Sequence, residues 1–396
     1  MSNSRRFLKF DSAHPLSYLT SKQRQAAAEL ESLDYDNYYR WLIAQRLGLS
    51  DHLTYFMNHN GWHAREFLPG DRVLARKLAA STEVSGRGAL RLKPFLKQAA
   101  NMTLKDFLFL KWSRDWEKNR LESLIENYIE TFQPNVLFVR EPCHLDGRFF
   151  DRFREKCVIA GFIACNTVHP LNWNPHRHDL LFTLTKEYAD FFKVQGIETH
   201  ILDYGVDERI SGEVANLPKI YDCTFVGYLG TATQSQKTKL MDTVARSIDF
   251  KWWGVKGSEL PKFPALQRSW QGETAGIDML RIYKESRIVL NDYVDMAAGL
   301  NVNMRTKEVM NVGSMLLTRR ATNIEALESE GALVTFGDAE ECLAKIRHYL
   351  GREAEREAIA AKGLQVALRE FNYRDISAKL MGILESKVKE CGRSWN

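Results

Sequence analysis

Short apolar runs recur along the chain, separated by longer stretches with helical spacing. Val136–Val139, Val158–Ala164, Leu180–Leu184 and His200–Leu202 form a first series. Cys223–Val226, Phe250–Trp253, Ile288–Leu290, Met315–Thr318 and Ala332–Phe336 form a second. Apolar runs without polar alternation suit strands buried on both faces of a parallel sheet. The segments between them are long enough for crossover helices, so the pattern predicts an α/β fold. Some helices carry their own signals. Asp338 and Glu341 stand as N-cap and N3 of a capping box, and Leu343, Ile346 and Leu350 follow at helical spacing. Arg352–Glu370 is rich in strong helix formers, and Ser21–Leu47 reads as one long helix or two short ones. The polar, weakly periodic stretch Glu208–Ala215 marks the best boundary, between Gly205 and Pro218.

Length supports two domains, because 396 residues exceed what one core usually organises. Apolar residues at 44% and charged residues at 27% exclude a disordered, collagenous or coiled-coil chain. No run approaches the ~18 apolar residues of a membrane span, and no apolar segment follows the basic N-terminus as in a secretory signal. Six cysteines without a CxxC pair argue against a disulfide framework or a zinc site. The expected compartment is the cytoplasm. The net charge of +5 permits an anionic ligand, a membrane surface or nucleic acid without selecting one.

Three segments are candidates for chemistry. Phe225-Val-Gly-Tyr-Leu-Gly230 leaves a strand and precedes a helix that opens near Gln236. Glycines let backbone approach a ligand, and helix N-termini favour phosphate, so Gly227, Gly230 and Lys237 are candidates for a diphosphate. The motif is not a full GxGxxG and, taken alone, reads first as a plain βα turn. Lys251-Trp-Trp-Gly254 ends another strand; Trp252 and Trp253 point to opposite faces, so one is available to stack on a base unless both are core. Asn291 to Thr318 runs from a strand end through Asn303 into a helix with Arg305, Lys307 and Glu308. Arg305 and Glu308 share one helix face, suited to phosphates and to ribose hydroxyls respectively, or to a simple surface ion pair. His14 and His169 each follow an apolar run; His176 and His178 lack the company a metal site needs. Asp34-Tyr-Asp36 has the DxD form of metal-bound nucleotide-sugar sites but falls within a helical pattern.

Taken in order, Trp270-Gln-Gly-Glu273, Gly276-Ile-Asp-Met279, Ser286-Arg-Ile-Val-Leu-Asn291, Asn303-Met-Arg305, Glu308, Gly313 and Leu316-Leu-Thr318 resemble the CgeB-like glycosyltransferases. The similarity runs on through Phe336-Gly337, Tyr349-Leu350 and Gly363 to Tyr373, and back to Gly205-Val-Asp207 and Gln133-Pro-Asn-Val-Leu137. The resemblance implies the GT-B architecture, two Rossmann-like domains with mainly parallel sheets facing a cleft. Residues 1–215 would hold the acceptor and 216–374 the nucleotide-diphosphate sugar, while 375–396 would cross back as a helix. It assigns Glu308 to the ribose, Gly227–Gly230 to the diphosphate, and Arg305, Asn303 and Lys237 to phosphate contacts; the strand-end reading adds Trp253 and Gly254 as candidates near the nucleotide. It implies no metal or other cofactor, with cations and helix dipoles stabilising the departing diphosphate. Acceptors would be a glycan, a lipid-linked intermediate or a protein. Glycosylation of modified DNA and a non-catalytic assembly role are the alternatives. Leu300 stands where many retaining members have a second glutamate, which counts against a retaining mechanism without deciding the stereochemistry; an inverting mechanism would need a base in the N-terminal domain. His14 and His169 are the candidates for that base, with Asp11 as the carboxylate alternative.

Overall fold

In the computed structural model, residues 5–11, 15–48, 50–81, 121–141, 145, 147–163, 174–230, 235–293, 304–393 and 395 are described. The chain divides into two compact units, Met1–Asp203 with Ser377–Asn396, and Tyr204–Ile376.

The first unit is built on strands β1 (Arg6–Phe10), β2 (His63–Phe67), β3 (Val136–Glu141), β4 (Val158–Ile163), β5 (Leu180–Thr183) and β6 (Thr199–Ile201). They form a six-stranded sheet in the order β2-β1-β3-β4-β5-β6, and every neighbouring pair is parallel. All six residues of β4 are buried, as a strand covered on both faces requires. The N-terminal helical region is three helices, Leu16–Gln25, Ala27–Ser32 and Tyr35–Ala44, where the sequence reads as one or two. Asp34 supplies the reason for the last break. Its carboxylate accepts a hydrogen bond from the Asn37 amide at 2.8 Å and so caps the third helix. The Asp34-Tyr-Asp36 motif is thereby accounted for. The chain returns to this unit at its end: Lys387 pairs with Glu198 at 2.7 Å, and Trp395 meets Trp62 edge to face.

The second unit carries β7 (Tyr221–Val226), β8 (Phe250–Trp253), β9 (Ser286–Asn291), β10 (Met315–Arg319) and β11 (Val334–Phe336), in the parallel order β11-β10-β9-β7-β8. The polar stretch after Asp207 is no linker. Glu208–Val214 is a helix capped by Asp207, which accepts from the Arg209 amide at 3.0 Å. Ile210 and Val214 are buried in this unit's core, so the polar residues of that stretch are merely its outer face.

The loops leaving β7 and β8 lie against each other. Gly227 donates its amide to the Trp253 carbonyl at 2.9 Å, and Gly257 donates to the Leu229 carbonyl at 2.7 Å. A Cβ on Gly254 would stand 2.0 Å from the Gly227 carbonyl oxygen. Gly254→Ala is therefore expected to destabilise the protein by roughly 1–3 kcal/mol, because backbone must move to admit the methyl. Urea unfolding of the variant checks this; an unchanged midpoint would show that the two loops are not packed this way.

Candidate functional site

In the second sheet, the first strand of the unit, β7, has the second strand β8 on one side and the third strand β9 on the other. The chain thus reverses its direction of travel between β7 and β9. Crevices for ligands open at such switch points, at the carboxyl ends of the strands. Gly227 follows β7 and Asn291 ends β9. Arg305, at the start of the helix Arg305–Asn311, links the two: its Nη1 donates to Asn291 Oδ1 at 2.6 Å. A Cβ on Gly227 would lie 2.8 Å from Arg305 Nη2 and 2.9 Å from the Phe225 ring, so a larger residue would displace the guanidinium. Asn291 is itself held in place, donating to Thr306 and Thr318 hydroxyls at 3.2 and 3.1 Å.

A second cation converges there. Lys237, in the first turn of the helix Ser235–Ser247, is buried with its Nζ 5.6 Å from the Phe225 ring centroid. The Arg305 guanidinium carbon is 4.8 Å from the same ring. The Gly230 amide donates to Thr238 Oγ1 at 3.0 Å, and that hydroxyl donates back to the Gly230 carbonyl at 2.8 Å, tying the glycine turn to the helix. Both cations therefore lie against the same ring, and an anion close to either is stabilised by its charge.

Glu308 lies one helical turn beyond Arg305. Among the described residues its carboxyl has no hydrogen-bond partner. Its residue surface is only partly covered, yet burial around the carboxyl pushes its pKa up to about 7, against the lowering influence of Arg305. A carboxyl so placed is a ready acceptor for hydroxyl donors. Lys307 faces elsewhere: it donates to the Tyr204 carbonyl at 2.8 Å and sits 4.6 Å from the Phe371 ring. Beyond β9, Asp292 binds Arg319 through two hydrogen bonds, at 2.8 and 2.9 Å, which fixes the ends of β9 and β10 together.

The structure thus brings Gly227, Gly230, Lys237, Arg305 and Glu308 to one strand edge. It corrects Trp253. That ring is buried in the core edge-to-face with Tyr221, while Trp252 is buried on the opposite face and donates to the Leu266 carbonyl at 2.8 Å. Both indoles are core because the sheet is covered on both sides, and neither is free to stack on a base. Gly254 is present for loop packing, as above. A partly exposed aromatic near the β8 loop is Trp270, which donates to the Gly254 carbonyl at 2.9 Å and carries Lys256 Nζ 3.6 Å over its ring. The periodicity did not single it out, because it belongs to no apolar run. His14, His169 and Asn303 lie outside the described residues.

Residues 236–382 match the family described as glycosyl transferase-like. A glycosyl transferase-like domain thus occupies that part of the chain. Among solved structures the chain is similar to sucrose-phosphate synthase from Thermosynechococcus elongatus, with 10% identity and a TM-score of 0.52 over 96% of this chain and 98% of that one. It is also similar to HepE from Anabaena in complex with UDP and glucose, with 10% identity and a TM-score of 0.49 over 96% and 100% of the two chains. A glycosyltransferase from Rickettsia africae shows 11% identity and a TM-score of 0.48 over 98% and 99%. No curated protein matches in sequence. At these identities the likeness is one of fold, and that fold is GT-B, with two mainly parallel sheets. Among the described residues, no helix of the protein is long and apolar enough to cross a membrane.

Proposed function

We propose that this glycosyltransferase takes its sugar from a nucleotide-diphosphate donor held in the second unit, in the manner of the CgeB-like enzymes. The acceptor is a hydroxyl of a glycan, a lipid-linked intermediate or a protein, held by the first unit. The observation that carries this reading is Glu308, a carboxyl without a hydrogen-bond partner among the described residues. It stands one turn from Arg305 at the switch point of its sheet. Ribose offers two hydroxyl donors to such a group. The diphosphate then falls toward Gly227–Gly230, Lys237 and Arg305, with Asn303 as a further contact. These cations receive the charge that grows on the diphosphate as the bond to the sugar breaks.

A thermal-shift panel of UDP, GDP, dTDP and CMP tests the reading. The cognate nucleotide at ~100 times its dissociation constant should stabilise the protein by about 2.7 kcal/mol. No shift with any nucleotide would overturn it. With lysine and arginine supplying the charge, transfer is expected to need no metal. Turnover should persist in EDTA, and loss in EDTA with recovery on adding Mn²⁺ would refute that part.

A further inference from the structure

The first unit has a switch point of its own. Its sheet reverses between β1 and β3, with β2 on the outer side of β1. At the carboxyl ends of these three strands lies a group of four charged side chains. Lys9 in β1 is fully buried, and its ammonium has three oxygen partners: the Ser50 carbonyl at 2.6 Å, Glu66 Oε1 at 2.9 Å and Asp11 Oδ2 at 3.3 Å. Glu66 Oε1 also accepts from the Thr54 hydroxyl at 2.9 Å. Asp11, the residue after β1, is held by its amide to the Phe67 carbonyl at 3.1 Å, and its Oδ1 accepts from Arg140 Nη1 at 2.8 Å.

Burying such a group is costly. Replacing buried ion networks by apolar side chains is often neutral or stabilising, so stability is a weak reason for keeping one. Ionisable groups gathered at the switch point of a parallel sheet mark a ligand site on physical grounds. Of the four only Arg140 has appreciable exposure, so the group's solvent side is where Arg140 holds Asp11. Side-chain exposure rises from 0% at Lys9 and 1% at Glu66 to 3% at Asp11 and 14% at Arg140. Glu66 is therefore the enclosed end, where burial also pushes its pKa up to about 7. Asp11 and Arg140 form the end nearest solvent.

We infer that Asp11 is the acceptor-site carboxylate of this glycosyltransferase, oriented by Lys9 and Arg140 to engage the attacking hydroxyl. The inference rests on the proposed transfer and names the group that serves its acceptor. In the step, the acceptor oxygen forms a bond to the anomeric carbon. The bond from that carbon to the diphosphate breaks, and its electron pair leaves on the nucleoside diphosphate. The hydroxyl proton passes to Asp11 and then to water. Lys9 is a positioning residue, since it acts through Asp11. His14 and His169, which the sequence nominates as bases, are not needed for this step.

The test uses the full-length protein and the nucleotide sugar whose nucleotide stabilises it. Release of nucleoside diphosphate is measured with water and with a panel of methyl glycosides as acceptors, beside nucleotide affinity by calorimetry. Asp11→Asn should lower turnover roughly 10²–10⁴-fold while nucleotide affinity stays within about twofold. Asp11→Glu keeps the charge of the network but moves the carboxylate, and should lose at least about tenfold; it serves if the asparagine variant does not fold. His14→Ala and His169→Ala should keep turnover within about tenfold of wild type. Near-full turnover in either Asp11 variant would overturn the assignment, as would loss of turnover on replacing a histidine instead. A wild-type protein that binds nucleotide but turns over no donor with any of these acceptors would also overturn it. A wild-type protein that binds no nucleotide would refute the donor reading itself.

Discussion

Arg305→Ala should lower the turnover number about 10²–10³-fold, with a smaller effect on nucleotide affinity. The guanidinium spans the switch point, bound to Asn291 and pressed against Gly227 and Phe225. It is already in place before the reaction, so it need not reorganise as charge develops on the diphosphate. Preorganised donors of this kind are worth about 2.7–4 kcal/mol each. Arg305→Lys restores a charge but not the planar fork that reaches both Asn291 and an anion, so it should recover only part of the loss. Steady-state kinetics with the cognate donor checks this. Equal loss in affinity and in turnover number would mean that Arg305 binds the ground state as tightly as the transition state.

The second large effect is a pH dependence set by Glu308. In the free protein its carboxyl titrates at about 7, raised by burial from the ordinary value of 4.5. Folded protein thus holds a proton that the unfolded chain lacks between those values. The associated stability is present below pH 4.5 and is lost as pH rises through about 7. On the proposed reading nucleotide binding runs the other way, because ribose hydroxyls would donate to the ionised carboxylate. Binding should release a proton, about half a proton per site near pH 7, and affinity should fall up to about tenfold per pH unit below it. Calorimetry in buffers of different ionisation enthalpy reads the released proton directly. Glu308→Gln should abolish the release and bind more weakly, by roughly 5- to 150-fold if both ribose hydroxyls lose their partner. Glu66 also titrates near 7 but lies in the other unit, so Glu66→Gln should leave proton release unchanged.

Much of this arrangement is legible in the sequence, for definite reasons. β3, β4, β5, β9 and β10 are continuous apolar runs because both faces of each sheet are covered, and such runs stand out in any window. β2 does not. Its sequence is His63-Ala-Arg-Glu-Phe67, and Glu66 within it is buried only because Lys9 of the neighbouring strand and Thr54 satisfy it. Likewise Lys9 reads as a solvent-facing residue of β1, since a charge is out of place in a core until its partners are known. A pairing between residues 57 positions apart leaves no local trace. The helical stretch Glu208–Val214 was hidden by its polar outer face. At the carboxyl ends of β7 and β9, position after a strand and spacing on a helix were enough to nominate Gly227, Arg305 and Glu308. They could not reveal that Arg305 binds Asn291, 14 residues earlier. Nor could they decide Trp253, because alternation places two tryptophans on opposite faces without saying whether either face is open.

The most direct test of the donor site is amide shift mapping of the isotopically labelled protein with the nucleoside diphosphate that stabilises it. The perturbed residues should be Gly227 to Gly230, Lys237, Asn291 and Arg305 to Glu308, at the carboxyl ends of β7 and β9. Perturbations confined to the first unit, around Asp11 and Arg140, would contradict the account.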